Sequence, residues 1–277
     1  MIFVIGGTGR LARAIAARHS DGETITPRRE VYQDWWMPNA ADAIREYFEP
    51  WERGNSTIFV VSGLLDPHAG EEDILKVNYY LPKNIVQAAA VLGIRVVTFG
   101  TIMERLLSRG NPYVQSKIAL GRYVSEIADN CQSVAHVRLH TLYGLGQPSS
   151  FMFLGQILHS LRTHSPFEMT LGKQLREYHH FDDDADAIYR LVEHWRAGVV
   201  DLNHGCPITL REIATTLFST FGEKNLLKIG ARPEPAEENY DTSFRRPDFL
   251  ADSKFRDALP AIVKYIESCL VCCPPEV

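Results

Sequence analysis

The chain opens on Met1-Ile-Phe-Val-Ile-Gly6-Gly7-Thr8-Gly9-Arg10-Leu11-Ala12, an apolar run rich in β-branched residues that breaks into glycines and then into the helix-forming stretch Leu11 to Arg18. That order spells a buried strand, a tight turn and a helix N-terminus. Gly6 permits the turn, Gly9 lets backbone approach a pyrophosphate, and the small Ala12 allows the helix to pack close to the strand. A phosphate placed there meets unpaired helix N–H groups at the positive end of the helix dipole. A glycine-rich loop alone can be only a turn, but one that follows a continuous strand from residue 2 points to a nucleotide site.

The rest of the first half alternates strand and helix. Short strands are expected at Glu23 to Thr26 and at Val31 to Trp36, followed by a helix over Ala40 to Phe48. Thr57 to Leu64 reads as a continuous apolar strand ending at Ser62-Gly63, and Leu81 to Leu92 as a helix. Ile94 to Gly100 is a strand, Tyr113 to Ala128 a long helix and Val134 to Leu142 a further strand. The alternation predicts an α/β protein: a Rossmann-type doubly wound parallel sheet with helices on both faces and a smaller C-terminal substrate lobe. Ligands of such sheets collect outside the carboxyl ends of the strands.

Composition excludes several other classes. The chain has 277 residues, 45% hydrophobic and 23% charged, which suits one large domain or a domain with a smaller lobe. A net charge of -5 and a pI near 6.1 argue against a general nucleic-acid binder. No apolar run reaches membrane-span length, and the start in a nucleotide-binding strand leaves the expectation of a cytoplasmic protein without a signal peptide. The five cysteines are an odd number and make no disulfide framework. Cys269, Cys272 and Cys273 cluster without a nearby histidine and read as thiols of a terminal helix and tail, so no metal site is expected there.

Within Asn111-Pro-Tyr-Val-Gln-Ser-Lys117, Tyr113 and Lys117 stand four residues apart, one turn along the same helix face. A phenol beside an ammonium can do acid–base work, because the positive charge favours phenolate. Joined to the glycine loop, the pair gives the chain a resemblance to the short-chain dehydrogenase/reductase superfamily, and within it to the extended epimerase/dehydratase branch acting largely on nucleotide sugars. The resemblance runs over nearly the full length. It is carried by the loop Gly6 to Ala12, by Val77-Asn78-Tyr-Tyr-Leu-Pro-Lys-Asn-Ile-Val86, by Val96-Val-Thr-Phe-Gly-Thr101, by Pro112 to Lys117 and by Val137-Arg-Leu-His-Thr-Leu-Tyr-Gly144. Further on come Arg176-Glu-Tyr-His-His-Phe-Asp-Asp183 and Asp252-Ser-Lys254.

The resemblance implies roles. Tyr113 would donate a proton to a carbonyl or take one from a hydroxyl, Lys117 would hold the nicotinamide ribose and lower the tyrosine pKa, and Thr101 would hydrogen-bond the reacting oxygen, with Thr98 the competing hydroxyl. Gly6, Gly7, Thr8, Gly9, Arg10, Leu11, Ser62, Gly63 and Lys117 would contact the cofactor. It also implies a homodimer through the helices Leu81–Leu92 and Tyr113–Ala128. The nucleotide-binding domain would comprise 1–147 with about 178–206, and the substrate lobe about 148–177 with 207–277. In that lobe Arg176, Arg245 and Arg246 are candidate diphosphate contacts, or merely surface.

Departures from the pattern matter too. The segment from Thr101 to Tyr113 is short for the branch, Gly100 stands where a serine is common and Thr141 where an asparagine is. Ile102-Met103 follow Thr101 where dehydratases carry Asp-Glu, which argues against water elimination, and the position of Glu104 does not match that role. At the end of the second strand the chain offers Thr26-Pro27-Arg28-Arg29 and no carboxylate, which favours the 2′-phosphate of NADP over NAD; the alternative is a solvated turn. Asp42 is either an adenine-side contact or an N-terminal helix charge. Asp182, Asp183 and Asp184 open a helix expected over Asp182 to Ala197 and read as charge favouring its dipole. His179 and His180, being adjacent, point apart and do not share a metal. Thr209 with Glu212 forms a capping box.

The function expected is an NADP-dependent ketoreductase on a nucleotide-linked sugar, with NAD possible as cofactor. The alternatives are a nucleotide-sugar epimerase with tightly bound NAD and, from another class, a non-catalytic dinucleotide sensor.

Overall fold

The computed structural model describes residues 1–19, 22–52, 55–107 and 111–272. The chain divides into two compact units, Met1–Leu139 with Ala185–Leu202, and His140–Asp184 with Asn203–Val277.

The first unit is built on six parallel strands. They are β1 (Ile2–Ile5), β2 (Thr24–Ile25), β3 (Thr57–Val60), β4 (Arg95–Thr101), β5 (Val134–Leu139) and an edge strand, Gly198–Asp201. In space the edge strand lies against β5, followed by β4, β3, β1 and β2. Both faces are covered, so every residue of β1 and of β3 is buried and each reads as an uninterrupted apolar or β-branched run. From β1 the chain winds outward to β2 and then returns to β3 on the other side. This reversal opens a crevice at the carboxyl ends of β1 and β3.

The core of this unit joins Phe3, Ile5, Ile58, Val60 and Val96 of the sheet to Ile44, Phe48, Ile85 and Val86 of the covering helices. Phe3 meets Phe48 edge-on with centroids 5.1 Å apart. Trp35 joins them, 5.7 Å from Phe48. That packing overturns the strand expected over Val31 to Trp36, which is a helical turn, Arg29–Tyr32, followed by further turns. The carbonyls of Trp35 and Met37 both accept from the Asn84 side-chain amide at 2.8 Å, so side-chain donors do there what a neighbouring strand would have done. The strand expected through Leu142 breaks at His140, and Thr141–Tyr143 pairs separately with Tyr178–His180. The helices Ala41–Phe48, Leu81–Leu92 and Pro112–Ile127 form where the apolar spacing places them.

The second unit contains three two-stranded ladders: Thr141–Tyr143 with Tyr178–His180, Phe167–Met169 with Leu227–Ile229, and Leu175–Arg176 with Ile208–Thr209. Helices Phe153–Thr163, Leu210–Thr220 and Ala258–Cys272 close a core that includes Ile157, Leu161, Phe167, Leu217, Phe218, Ile262 and Ile266. The capping box forms: Thr209 Oγ1 accepts from the Glu212 amide at 3.1 Å, and the Glu212 carboxylate accepts from the Thr209 amide at 2.8 Å. Cys269 is buried in this core, while Cys273 and the side chain of Cys272 lie outside the described residues.

Candidate active site

The glycine loop sits at the crevice for steric reasons. Gly6 has φ +90°, and a β-carbon there would stand 2.6 Å from the Ser62 amide nitrogen. At Gly7 it would stand 1.9 Å from Cγ2 of Thr26. The loop is thus pressed against the ends of β3 and β2 together. Gly9 donates to the Gly6 carbonyl at 3.1 Å and leads into the helix Arg10–Arg18, whose N-terminus carries no side-chain cap. Its first amides are therefore open to an anion. The buried hydroxyl of Ser62 has no hydrogen-bond partner among the described residues. A glycine cradle, uncapped helix amides and an orphaned hydroxyl fit the phosphates and ribose of a dinucleotide. Arg28 and Arg29 are exposed just beyond β2, two and three residues past the Thr26 that touches the loop. Asp42 pairs with Arg45 one helical turn away, within its own helix.

Thr101 ends β4, and Tyr113 and Lys117 lie on the helix Pro112–Ile127. Asn111 caps that helix by accepting from the Val114 amide at 3.0 Å. A buried relay from Asn78 holds the helix in place. Asn78 Nδ2 donates to the Leu64 carbonyl at 2.9 Å and to Ser116 Oγ at 3.2 Å, and its Oδ1 accepts from the Leu64 amide at 2.8 Å. Asn78 faces inward from a single π-helical turn, Lys76–Tyr80. Lys117 Nζ donates to the Phe99 carbonyl at 2.9 Å and lies 5.9 Å from the centroid of the Tyr113 ring. Thr101 Oγ1 accepts from the Met103 amide at 3.3 Å, which leaves the hydroxyl proton free to donate.

Burial decides the protonation states. It lowers Lys117 to about 8, with the nearby Glu104 carboxylate acting in the opposite sense. It also raises Tyr113 to about 12, with Glu104 adding to the rise. The expectation that Lys117 lowers the tyrosine pKa is therefore corrected. The ammonium is engaged with a strand carbonyl, and Tyr113 is a neutral phenol at physiological pH, the form of a proton donor.

Glu104 is the residue the sequence least suggested. Its side chain is 1% exposed. Oε1 accepts from the Thr101 amide at 2.8 Å and lies 3.3 Å from His136 Nε2, while Oε2 accepts from Arg138 Nε at 3.1 Å. His136 Nδ1 lies 2.9 Å from Thr98 Oγ1, so Thr98, the competing hydroxyl, is occupied below the site. Burial pushes the Glu104 carboxyl up, but His136, the Thr101 amide and Arg138 outweigh it and hold the group ionised.

The second unit holds the other candidates. Arg176 pairs with Glu238 at 2.5 Å and bonds the Leu175 carbonyl at 2.9 Å. Arg245 is exposed beside Asp248, and Arg246 donates to the carbonyls of His204 and Ser253 at 2.9 and 3.2 Å. Each residue of the acidic run has a specific partner rather than only a helix dipole. Asp182 and Asp183 engage Arg256, and Asp184 Oδ1 lies 2.9 Å from His179 Nδ1 and 3.0 Å from His204 Nε2. Glu177 joins from the other side of His179 at 3.1 Å. The rings of His179 and His204 stack 3.4 Å apart and within 3° of parallel, with Phe255 on the far face of His204 at 3.5 Å. His179 Nδ1 and His204 Nε2 thus converge on one carboxylate oxygen, and the three atoms lie within 4.8 Å of one another, a set that pairs charges and also offers three ligands to a metal ion. Burial works against the charge on His179, but Asp184 and Glu177 outweigh it and raise the group to about 9.

The sequence matches the model of the NAD dependent epimerase/dehydratase family over residues 2–205. The chain belongs to this family of enzymes. No curated protein matches it. Among solved structures it is similar to MoeE5 in complex with UDP-glucuronic acid and NAD, at 18% identity over 98% of this chain and 99% of that one, TM-score 0.75. RMD from Pseudomonas aeruginosa, complexed with NADPH, is 17% identical over 97% and 99%, TM-score 0.74. The ADP-L-glycero-D-manno-heptose-6-epimerase of Helicobacter pylori is 14% identical over 98% and 96%, TM-score 0.72.

Proposed function

We propose that the protein is an NADP-dependent ketoreductase acting on a nucleotide-linked sugar. The observation that carries this reading is the Tyr113–Lys117 pair on one helix, tied through the Lys117 ammonium to the Phe99 carbonyl of the strand that ends in Thr101. A ketone gaining hydride needs a proton at its oxygen, and a neutral phenol can deliver one. The nicotinamide dinucleotide, bound on the glycine cradle, supplies the hydride. Thr101 directs its free hydroxyl proton at the same oxygen, and Lys117 keeps a positive charge beneath the pair. The exposed Arg28 and Arg29 beyond β2 favour NADPH, because only that cofactor carries a phosphate for them to pair with. The family and the nucleotide-sugar ligand of one similar structure support the substrate class.

The family description equally favours a second reading, an epimerase that keeps NAD bound and uses the same residues in both directions. Calorimetric titration of the purified protein separates the two, after a check for cofactor already bound. Tight NADPH binding to empty protein, followed by NADPH consumption with a nucleotide keto sugar, is the expected result. Stoichiometric co-purified NAD, or a preference for NADH, would overturn the reductase reading.

A further inference from the structure

Two glycines near the site serve no turn. Gly100 is in β4 and Gly121 in the helix Pro112–Ile127, and neither has a positive φ. What they provide is space. A β-carbon on Gly100 would stand 2.0 Å from Glu104 Oε1 and 2.3 Å from His136 Nε2, and one on Gly121 2.6 Å from Glu104 Oε2. The carboxylate and imidazole fill a volume that these two missing side chains leave.

Tyr113, Lys117 and Gly121 succeed one another at four-residue spacing and so form one stripe along the helix. Glu104 reaches that stripe at Gly121, one turn past Lys117. We propose that Glu104, seated with His136 in the space left by Gly100 and Gly121, is a positioning residue that fixes the end of β4 at Thr101 and holds Lys117 as an ammonium. This rests on reading Thr101, Tyr113 and Lys117 as the catalytic set.

The first role follows from the hydrogen bond between the Thr101 amide and Glu104 Oε1, which anchors the residue whose hydroxyl faces the reacting oxygen. The second follows from charge. Lys117 is buried, and Glu104 Oε2 fills the place of a β-carbon on Gly121, one turn along the same helix face, where its charge favours the protonated lysine. Glu104 itself faces His136 and Arg138 as well as Tyr113 and Lys117, and Arg138 is shared with Asp201. Since the carboxylate only accepts, His136 Nε2 carries the proton it donates. The neutral ring then accepts at Nδ1 from the Thr98 hydroxyl. His136 thereby locks Glu104 without neutralising it.

The test reads Lys117 directly and needs no substrate. The protein is labelled at lysine and titrated by NMR, with the Lys117 resonance identified by its loss in Lys117→Arg. Glu104→Gln keeps the volume and an acceptor for the Thr101 amide but removes the charge, so the Lys117 midpoint should fall by about one pH unit or more. Glu104→Asp keeps the charge and should hold the midpoint within about half a unit of wild type. An unmoved midpoint in Glu104→Gln, or equal shifts in the two variants, would overturn the assignment. In the wild-type protein, whatever the variants do, the Thr101 amide should be protected from hydrogen exchange, and an unprotected amide would overturn the anchoring role. A null result here is distinct from failure of the catalytic reading, which an active Tyr113→Phe enzyme would reveal while leaving the lysine titration intact.

Discussion

The Lys117 ammonium donates to the carbonyl oxygen of Phe99 at 2.9 Å, tying the helix that carries Tyr113 to the strand that ends in Thr101. One side chain thus sets the distance between two candidate catalytic groups on different elements. It also explains why the lysine does little for the tyrosine: its donor is turned to the sheet, and burial governs both groups.

Lys117→Met should therefore separate stability from activity. Removing a buried charge relieves its desolvation, and the one carbonyl left unpaired costs about 1–3 kcal/mol. The melting temperature should stay near wild type, while cofactor affinity and turnover both fall. Calorimetric melting alongside NADPH titration checks this. A collapse of stability with affinity retained would make the lysine a structural group only.

Tyr113→Phe should leave cofactor binding nearly intact and lower turnover by about 10²-fold or more, the scale of acid catalysis. Steady-state rates with a nucleotide keto sugar measure it. Turnover equal to wild type would remove Tyr113 from the mechanism.

The first unit could be read from the sequence because its sheet is buried on both faces. Burial forces uninterrupted apolar strands such as Ile2–Ile5, and the glycines that follow are required by contacts at 2.6 and 1.9 Å. Val31 to Trp36 misled because aromatic and β-branched residues suit a strand and an aromatic cluster alike. The edge strand Gly198–Asp201 escaped notice because it opens on a glycine with φ +84° and ends on an aspartate. Glu104 and His136 are 32 residues apart and meet through the parallel pairing of β4 with β5, a contact no local pattern encodes. The one available signal was a pair of glycines, Gly100 and Gly121, in places where no turn was needed. His179, Asp184 and His204 likewise meet only in three dimensions, and the acidic run hid a buried partner within what looked like surface charge.

Arg28→Ala with Arg29→Ala tests cofactor choice. Losing charge-assisted bonds to a 2′-phosphate should weaken NADPH by about 10- to 100-fold, while NADH changes by less than about 2-fold. Calorimetry with both cofactors decides it. Equal losses would show the two arginines to be structural.

The stability of the protein should peak near pH 6.5, for reasons of opposite sign on the two flanks. His179 has a folded pKa raised to about 9, so its contribution is fully present below the unfolded value of about 6.5 and is lost as pH rises toward 9. Between about pH 6.5 and 8 the folded state holds one extra proton, and stability should fall by about 1.4 kcal/mol per pH unit; above about pH 8 Lys117, lowered by burial to about 8, works in the opposite sense and flattens the decline. His140, lowered by burial to about 4, and His136 and His204, also lowered by burial, behave in the reverse way. Below about pH 6.5 the unfolded chain takes up protons that these folded imidazoles refuse, so stability falls as the solution becomes more acid. Asp184, at about 2 despite its burial, keeps its contribution until far lower pH and does not shape this window. Denaturant unfolding between pH 5 and 9 measures the curve. In His179→Asn the alkaline decline should vanish, and the protein should lose about 3–5 kcal/mol at neutral pH because Asp184 and Glu177 remain buried without their cation. An alkaline slope that survives the substitution would assign the extra proton to another group and dismiss the charged histidine of the stack.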